Sequence, residues 1–303
     1  MSEPLEALRD YVHFMREREG VRQVRLTRAA REGLAKATAK VKGRDGTPLP
    51  SVELVGREGT RVPTKPDSGR RPPQQLPTAG PTATPATNEP PIEITGSTKV
   101  EQLRHLAERA SVCVKCPHLV ARRHTVVFGV GNPEAKLMFV GEAPGEDEDL
   151  KGEPFVGRAG QLLTKMIAAM GLAREQVYIA NIVKCRPDMP PGASGNRKPT
   201  KQEMETCVPY LRAQIDVINP TVMVALGATA VEGLLGPVGT IGSLRGKFLE
   251  YRGTPLMPTY HPSYLLRNQS NTEKRKVWED LLKVMERLEM PITDKQRGFF
   301  LAK

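Results

Sequence analysis

The sequence has 303 residues, and 45 Lys and Arg against 34 Asp and Glu give a formal net charge of +11. This surplus favours a polyanionic partner, because cationic side chains attract phosphates and release their counterions, although a basic protein without a charged partner has the same composition. No stretch approaches the roughly 20 apolar residues of a membrane span, and the first 14 residues carry three acidic side chains and no apolar core, so we expect a bacterial-type cytoplasmic protein without an export signal or membrane contact.

The first 96 residues divide into two segments of different composition. Apolar residues recur at helical spacing from Leu5 to Met15, and a basic, helical pattern follows from Val21 to Lys42. We therefore assign residues 1–42 to a helical basic segment, which either touches phosphates or presents a solvated face. Residues 43–96 are rich in Pro, Thr, Gly and Ser and cannot bury enough apolar surface to offset their ordering entropy, which predicts a flexible linker.

Residues 97–291 have the pattern of one globular domain, followed by a C-terminal tail over residues 292–303. Short apolar runs alternate with helical patterns, which indicates an α/β fold. The predicted strands are Lys136–Gly141, Val177–Ile182, Thr221–Leu226 and Pro255–Tyr260. The predicted helices are Ala159–Met170, Lys201–Ile218, Ala228–Leu235 and Glu273–Leu288. We expect a three-layer α/β/α sandwich around a mostly parallel central sheet, preceded by the flexible N-terminal extension.

All four cysteines lie in this domain. Cys113 and Cys116 form a C-x-x-C, which holds two thiolates close enough to share one metal centre, and the distant pair Cys185 and Cys207 can complete four-fold ligation. Spacing alone does not decide between an iron–sulfur cluster and zinc. A redox pair at the C-x-x-C, or four unrelated buried thiols, are the remaining interpretations.

The loops that follow the predicted strands carry the residues of chemical interest, because ligands of such sheets bind beyond the carboxyl ends of the strands. The first strand runs into the turn Gly141–Gly145, which contains Glu142, and then into an acidic run over residues 146–149. Glycines flanking a proline form a tight turn whose N–H groups can approach a ligand closely. Carboxylates in a pocket would orient water or stabilise developing positive charge, whereas the same residues in an ordinary turn would be solvated.

Three further features stand beside this turn. Asn181 lies at the carboxyl end of the second predicted strand, and His261 follows the last one. Because Glu142 also lies at the carboxyl end of a strand, this position favours a functional histidine over a structural one. Phe155 either stacks on a base or fills the core. Leu265, Leu266 and Arg267 form an apolar wedge beside a cation, of the kind that parts stacked bases, or simply the apolar start of a helix.

Taken in chain order, these motifs resemble the family 4 uracil-DNA glycosylases, the iron–sulfur branch of the uracil-DNA glycosylase superfamily. The resemblance runs from Cys113 to about Leu288. It implies a monomeric DNA-repair enzyme that acts on uracil-containing DNA in base excision repair, hydrolysing the N-glycosidic bond of deoxyuridine to release uracil and leave an abasic site. The motifs that carry it are the C-x-x-C, Gly141–Gly145, Gly152–Gly157, Asn181 with Lys184–Pro187, Cys207 and His261–Ser263.

The resemblance also implies a role for each matching residue. Glu142 and His261 would be catalytic, the glutamate orienting water and stabilising charge at the sugar while the histidine donates to O2 of the base. The backbone of Ala143 would contact the base, and Phe155 would stack on it. Asn181 would form hydrogen bonds with the edge of the base, and Glu148 would lie near it. A 4Fe–4S cluster would be bound by Cys113, Cys116, Cys185 and Cys207, and the DNA wedge would be Leu265, Leu266 and Arg267.

The interval between Cys185 and Cys207 is a few residues longer than in the shorter members of that family, which leaves the path of this loop open. Relatives that trap the abasic sugar covalently carry a histidine near this region, but Gly195–Pro199 contains none. The alternatives are a non-catalytic iron–sulfur nucleic-acid binding module of the same fold and a zinc-stabilised structural protein. The combination of Glu142, Asn181 and His261 favours the enzyme.

Overall fold

The structure is a computed structural model that describes residues 92–190, 193 and 195–301. The predicted basic segment over residues 1–42 and most of the predicted linker therefore lie outside the described residues. None of the described helices is long and apolar enough to cross a membrane.

The described residues form a six-stranded sheet with the order β1-β3-β2-β4-β6-β5. The four inner strands, β3, β2, β4 and β6, are parallel, and the two edge strands pair antiparallel with their neighbours. Each predicted strand is confirmed to within one residue at either end, whereas the edge strands were not predicted because they are only 2 and 3 residues long. The strands are β1 Val130–Gly131, β2 Leu137–Gly141, β3 Tyr178–Asn181, β4 Val222–Leu226, β5 Leu249–Tyr251 and β6 Thr254–Thr259.

Ten α-helices surround the sheet within the described part of the chain. Lys201–Ile218 and Ala228–Leu235 occur with the predicted bounds, and the other two predicted helices are displaced by one or two residues. Threonine and glutamate form capping boxes at the N-termini of α1 and α5. The helices are α1 Lys99–Ser111, α2 Pro117–Val120, α3 Glu146–Lys151, α4 Arg158–Ala169, α5 Lys201–Ile218, α6 Ala228–Leu235, α7 Ile241–Leu244, α8 Pro262–Arg267, α9 Asn271–Arg287 and α10 Asp294–Arg297.

The sheet separates two apolar layers, which confirms the predicted three-layer α/β/α sandwich. Successive residues of β2 point to opposite faces, so Met138 packs in one layer and Phe139 in the other. Helices α1, α5 and α6 cover the first layer, and α4 and α9 cover the second. Because both faces are covered, β2 and β4 are buried at every position, which explains their continuous apolar runs in the sequence.

Residues beyond both predicted domain boundaries contact the domain. Ile92 and Ile94, at the end of the predicted linker, pack against the first apolar layer. In the predicted tail, the carbonyl of Gln296 accepts a hydrogen bond from Trp278 Nε1 at 2.5 Å, and the Phe299 ring lies 5.2 Å from that of Trp278. These apolar side chains extend the packed domain at both ends.

Candidate active site

The carboxyl ends of the parallel strands lie at one edge of the sheet, and the loops that leave this edge line a pocket of about 510 Å³. Glu142 follows β2, Asn181 ends β3, Gly227 follows β4 and His261 lies just beyond β6. The in-register pairing of the strands therefore brings together side chains that are far apart in sequence. The predicted site residues that line the pocket are Glu142, Ala143, Glu148, Phe155, Asn181, His261 and Arg267.

Glu142 is held where β2 ends. Its carbonyl accepts a hydrogen bond from the N–H of Val183 at 3.1 Å, which continues the pairing of β2 with β3 by one step. Burial of the side chain raises the pKa of its carboxyl above the usual 4.5, while the hydroxyl of Thr229 and the charge of Lys198 oppose that rise. The pocket therefore contains a carboxylate that is partly removed from water.

Asn181 is 2% exposed, and its Oδ1 is buried without a hydrogen-bond partner. A buried acceptor without a hydrogen-bond donor destabilises the folded state, unless a bound molecule supplies the donor. The unpaired Oδ1 therefore indicates that a ligand binds in this pocket. Gly141 makes room for it, because a Cβ at that position would lie 2.3 Å from Asn181 Oδ1 and 2.5 Å from Cζ of Phe155. A glycine at the end of β2 thus lets the amide and the phenyl ring approach each other.

Phe155 adopts a left-handed backbone conformation with φ of 55°, which is uncommon for a bulky residue. Gly160 lies against its backbone so closely that a Cβ there would be 1.8 Å from the Phe155 carbonyl oxygen. The ring is 6% exposed, and its centroid lies 5.6 Å from that of His261 at an interplanar angle of 32°. This arrangement presents an aromatic surface to a planar ligand beside the histidine.

His261 is the N-cap residue of α8, and its Nδ1 accepts a hydrogen bond from the N–H of Ser263 at 3.1 Å. The Ser263 hydroxyl lies 2.8 Å from the same nitrogen. Burial, followed by the charge of Arg267, lowers the pKa of His261 to about 4. The ring is therefore neutral at pH 7, and because Nδ1 is an acceptor, its proton lies on Nε2.

We expect ring-nitrogen NMR spectra to show His261 neutral, with its proton on Nε2, from about pH 5 to 8. A pKa lowered to about 4 leaves the ring largely unprotonated throughout this range. The His261→Gln variant assigns the signal among the five histidines. A doubly protonated ring at about pH 6.5, or a proton on Nδ1, would contradict this prediction.

Glu148 also lines the pocket, but its carboxylate binds neighbouring backbone. Oε1 accepts from the N–H groups of Val156 and Gly157 at 2.9 and 2.8 Å, and Oε2 accepts from Gly145 at 3.0 Å. This side chain therefore joins the turn after β2 to the loop that carries Phe155. The acidic run that contains it forms α3, because acidic side chains are favourable in the first turn of a helix.

The three residues of the predicted DNA wedge differ in their exposure. Leu265 is 5% exposed and packs in the second apolar layer, because it lies on the inward face of α8. It therefore cannot enter a base stack without leaving the core. Leu266 is partly exposed, and Arg267 is exposed and lines the pocket.

The four cysteines lie together beside the first apolar layer. The Cys185 thiol interacts electrostatically with Cys113, and Cys207 with Cys185 and Cys116. Arg123 Nη1 lies 3.2 Å from Sγ of Cys185, and the N–H of Lys184 donates to Sγ of Cys207 at 3.2 Å. Burial raises the pKa of the Cys185 thiol. Two N–H donors thus face sulfur atoms that would carry charge when bound to metal.

Several residues in and beside the pocket were not predicted from the sequence. Lys198 lines it from the loop before α5, and Thr229 reaches Glu142 from the first turn of α6. The path of the longer loop is fixed by Arg197, whose guanidinium binds Asp188 and Glu203. No spacing rule of a strand or helix marks these positions.

His118, Asp188 and Glu203 place donor atoms within 4.8 Å of one another, which is the spacing of a metal site. However, Arg197 donates to both carboxylates, Oε1 of Glu203 lying 2.7 Å from its Nη2, and His118 Nε2 lies 2.7 Å from the same oxygen. The guanidinium already supplies the positive charge at this position. We therefore interpret the group as an ion-pair network that anchors the loop.

Comparison with known proteins identifies the family. The sequence profile of the Uracil DNA glycosylase superfamily matches residues 128–282. The type-4 uracil-DNA glycosylase of Thermotoga maritima is 47% identical over 188 residues, covering 61% of this chain and 94% of the relative. That of Archaeoglobus fulgidus is 40% identical over 193 residues, covering 59% and 94%. A type-5 uracil-DNA glycosylase of Pyrobaculum aerophilum is 30% identical over 185 residues, covering 50% and 79%. The chain belongs to the uracil-DNA glycosylase superfamily and, within it, to the type-4 group.

Proposed function

We propose that this protein hydrolyses the N-glycosidic bond of deoxyuridine in DNA, releasing uracil and leaving an abasic site. The observation that carries this proposal is the buried, unpartnered Oδ1 of Asn181 in a pocket that also contains Glu142 and His261. The type-4 relatives are named for the same activity.

The chemistry of Asn181 suits uracil. Its Oδ1 can accept from N3–H of uracil while its Nδ2 donates to O4, and cytosine presents the opposite pattern at both positions. Binding of cytosine in the same orientation would leave buried polar groups unpaired, at about 1–3 kcal/mol each. Phe155 would stack on the base and the backbone of Ala143 would contact its edge.

His261 and the surrounding helices favour the leaving group. As the glycosidic bond breaks, negative charge develops on uracil, and the neutral His261 would donate from Nε2 to O2 of the base. The first turns of α4 and α6 line the pocket through Ala159 and Ala228, and neither helix has a side-chain cap at its N-terminus. Their partial positive charges further stabilise an anion there.

Glu142 would act on the sugar side. In its ionised form, the carboxylate would stabilise the positive charge that develops on the deoxyribose and orient the attacking water. Thr229 and Lys198 favour this ionised form. Glu148 would hold the two pocket loops in register beside the base.

The nucleotide must leave the base stack before it reaches this pocket, at a cost of a few kcal/mol in a duplex. Leu266 and Arg267 lie at the end of α8, where an apolar side chain beside a cation would fill the gap left by the base. We also propose that the protein acts as a monomer.

Cys113, Cys116, Cys185 and Cys207 fit a 4Fe–4S cluster. Four thiolates on one zinc ion at about 2.3 Å would lie about 3.8 Å from one another. The described residues contain one set of three ligand side chains with all donor atoms within 4.8 Å, and it includes no cysteine. No three of these sulfur atoms therefore lie within 4.8 Å of one another, which leaves room for a cluster of several irons. When bound, the cluster would cross-link the segment after α1 to the segment after β3 and to α5, which is a structural role.

An oligonucleotide assay tests the function. A labelled strand with one uracil is incubated with the protein and treated with alkali, which breaks the strand at abasic sites. We expect breaks at uracil and none at cytosine or thymine in the same position. Binding without any break would favour the non-catalytic binding module, and breaks at thymine would contradict the assigned specificity.

A further inference from the structure

Three cations line the pocket in the described part of the chain: Arg197, Lys198 and Arg267. Arg197 is not available to a ligand, because its guanidinium binds Asp188 and Glu203 and anchors the loop. Arg267 lies on the His261 side, where its charge acts on that ring. Lys198 also lines the pocket, and its charge acts on Glu142. The pocket therefore has one available cation beside each of its two catalytic side chains.

Lys198 is held by one ion pair that crosses from the loop to a helix. Its Nζ lies 2.6 Å from Oε2 of Glu232 on α6, and the two side chains are 52% and 36% exposed. An ion pair this exposed contributes little to stability, so the fold does not depend on it. A carboxylate oxygen on a lysine ammonium is also the contact that a DNA phosphate oxygen makes.

The position of this pair is what relates it to DNA. In the function proposed above, Glu142 faces the deoxyribose of the extruded nucleotide. Both flanking phosphates are bonded to that same sugar, so the DNA backbone must pass the rim beside Glu142. Lys198 is the available cation that lines the pocket beside Glu142. The DNA backbone would therefore also approach its ion-pair partner, the anion Glu232.

We propose that Lys198 binds a phosphate beside the extruded nucleotide and that Glu232 occupies the lysine in the free protein until the phosphate displaces it. This inference rests on the proposed function. It gives the two partners of one ion pair opposite effects: Lys198 promotes DNA binding, and Glu232 competes with it. A pair that only fixes the loop would give both variants the same, unfavourable effect.

Binding is measured by fluorescence anisotropy of the full chain with a labelled single strand, whose single deoxyuridine carries a 2′-fluorine to resist cleavage. We expect Lys198→Met to weaken binding about 3–10-fold and to reduce the slope of log K against log salt by about 0.7, between about 50 and 200 mM salt. Glu232→Gln should tighten binding about 2–5-fold. In the Lys198→Met background, Glu232→Gln should have little effect, because the lysine that it frees is gone.

The chain offers a matched control pair. Lys201 and Glu205 form an exposed ion pair of the same residue types on α5, at 3.5 Å, and neither lines the pocket. Lys201→Met and Glu205→Gln therefore measure the general effect of removing one charge. Equal effects of Lys198→Met and Lys201→Met, or weaker binding by Glu232→Gln, would overturn the proposal.

A cleavage assay separates this failure from failure of the proposed function. Wild-type protein that does not act on uracil would remove the function itself, whatever the binding results. If the wild-type protein acts on uracil but the Lys198 variants behave like their controls, the proposed function stands and the proposed phosphate contact is wrong. Lower activity of Lys198→Met that high DNA concentration restores would support the proposal, because it places the effect in KM.

Discussion

Replacing Glu142 by Gln is expected to lower kcat/KM for uracil release about 10²–10⁴-fold while the fold remains intact. The amide has nearly the shape of the carboxylate, so the pocket keeps its packing, and the pairing of the Glu142 carbonyl with Val183 is a backbone contact that the substitution does not change. What is lost is the negative charge that favours the developing positive charge on the sugar. Single-turnover cleavage of a uracil oligonucleotide measures the effect.

Glu146→Gln is the matched control for this variant. Glu146 lies in the acidic run after the same turn and is 66% exposed, and its Oε2 lies 3.7 Å from Nη2 of Arg186. We expect it to cleave at the wild-type rate. Thermal unfolding and visible absorbance of both variants should match wild type. A Glu142→Gln protein with wild-type turnover would remove the carboxylate from the mechanism.

The acid side of the pH profile provides a check on the same group. Burial raises the pKa of Glu142, so its charge is lost as the pH falls through a value above 4.5. His261, with its pKa lowered to about 4, stays neutral until lower pH. The first loss of kcat/KM on acidification therefore belongs to Glu142.

Replacing Cys185 by Ala is expected to reduce the bound iron to less than about a tenth of the wild-type content and to destabilise the protein severely. Cys185 is 8% exposed and lies in the buried segment that follows β3, four residues after Asn181. Loss of its thiolate would leave three ligands and release the cross-link between this segment and α5. Iron and sulfide analysis, visible absorbance and the yield of folded protein measure the outcome.

Val183→Ala controls for the loss of side-chain volume in the same buried segment. Val183 is 1% exposed and packs in the first apolar layer but offers no ligand atom. We expect this variant to lose about 1–2 kcal/mol of stability through its cavity and to keep its iron. A Cys185→Ala protein that remains folded and coloured would contradict the ligand assignment.

The inner strands and the central helices could be predicted because their patterns are long and regular. Val222–Leu226 is apolar at every position, and the helical period of Lys201–Ile218 ends where Asn219 takes a left-handed conformation. The strand Val130–Gly131 and the helix Glu146–Lys151 are too short for a period to be visible. The strand Val130–Gly131 forms because it pairs with β3, and the helix Glu146–Lys151 begins at its N-cap residue Gly145.

The residues of the pocket that follow strands could likewise be predicted. Parallel strands place Glu142, Asn181 and His261 at one edge whatever the details of the helices. The position of Lys198 in the pocket could not be predicted, because it depends on the path of a loop that Arg197 anchors. The inward side of Leu265 also depends on how α8 docks, and no periodicity is visible in six residues.

The parallel topology of the sheet also determines when this pocket can exist. The register joins Leu137 to Val222 and Val224 to Met257, so adjacent strands come from distant parts of the chain. Contacts of such high contact order require long loops to close, which slows folding. A chain that is still folding, or that has lost β6, has no complete pocket and holds no extruded base. The complete pocket therefore requires all four inner strands to be paired at the same time.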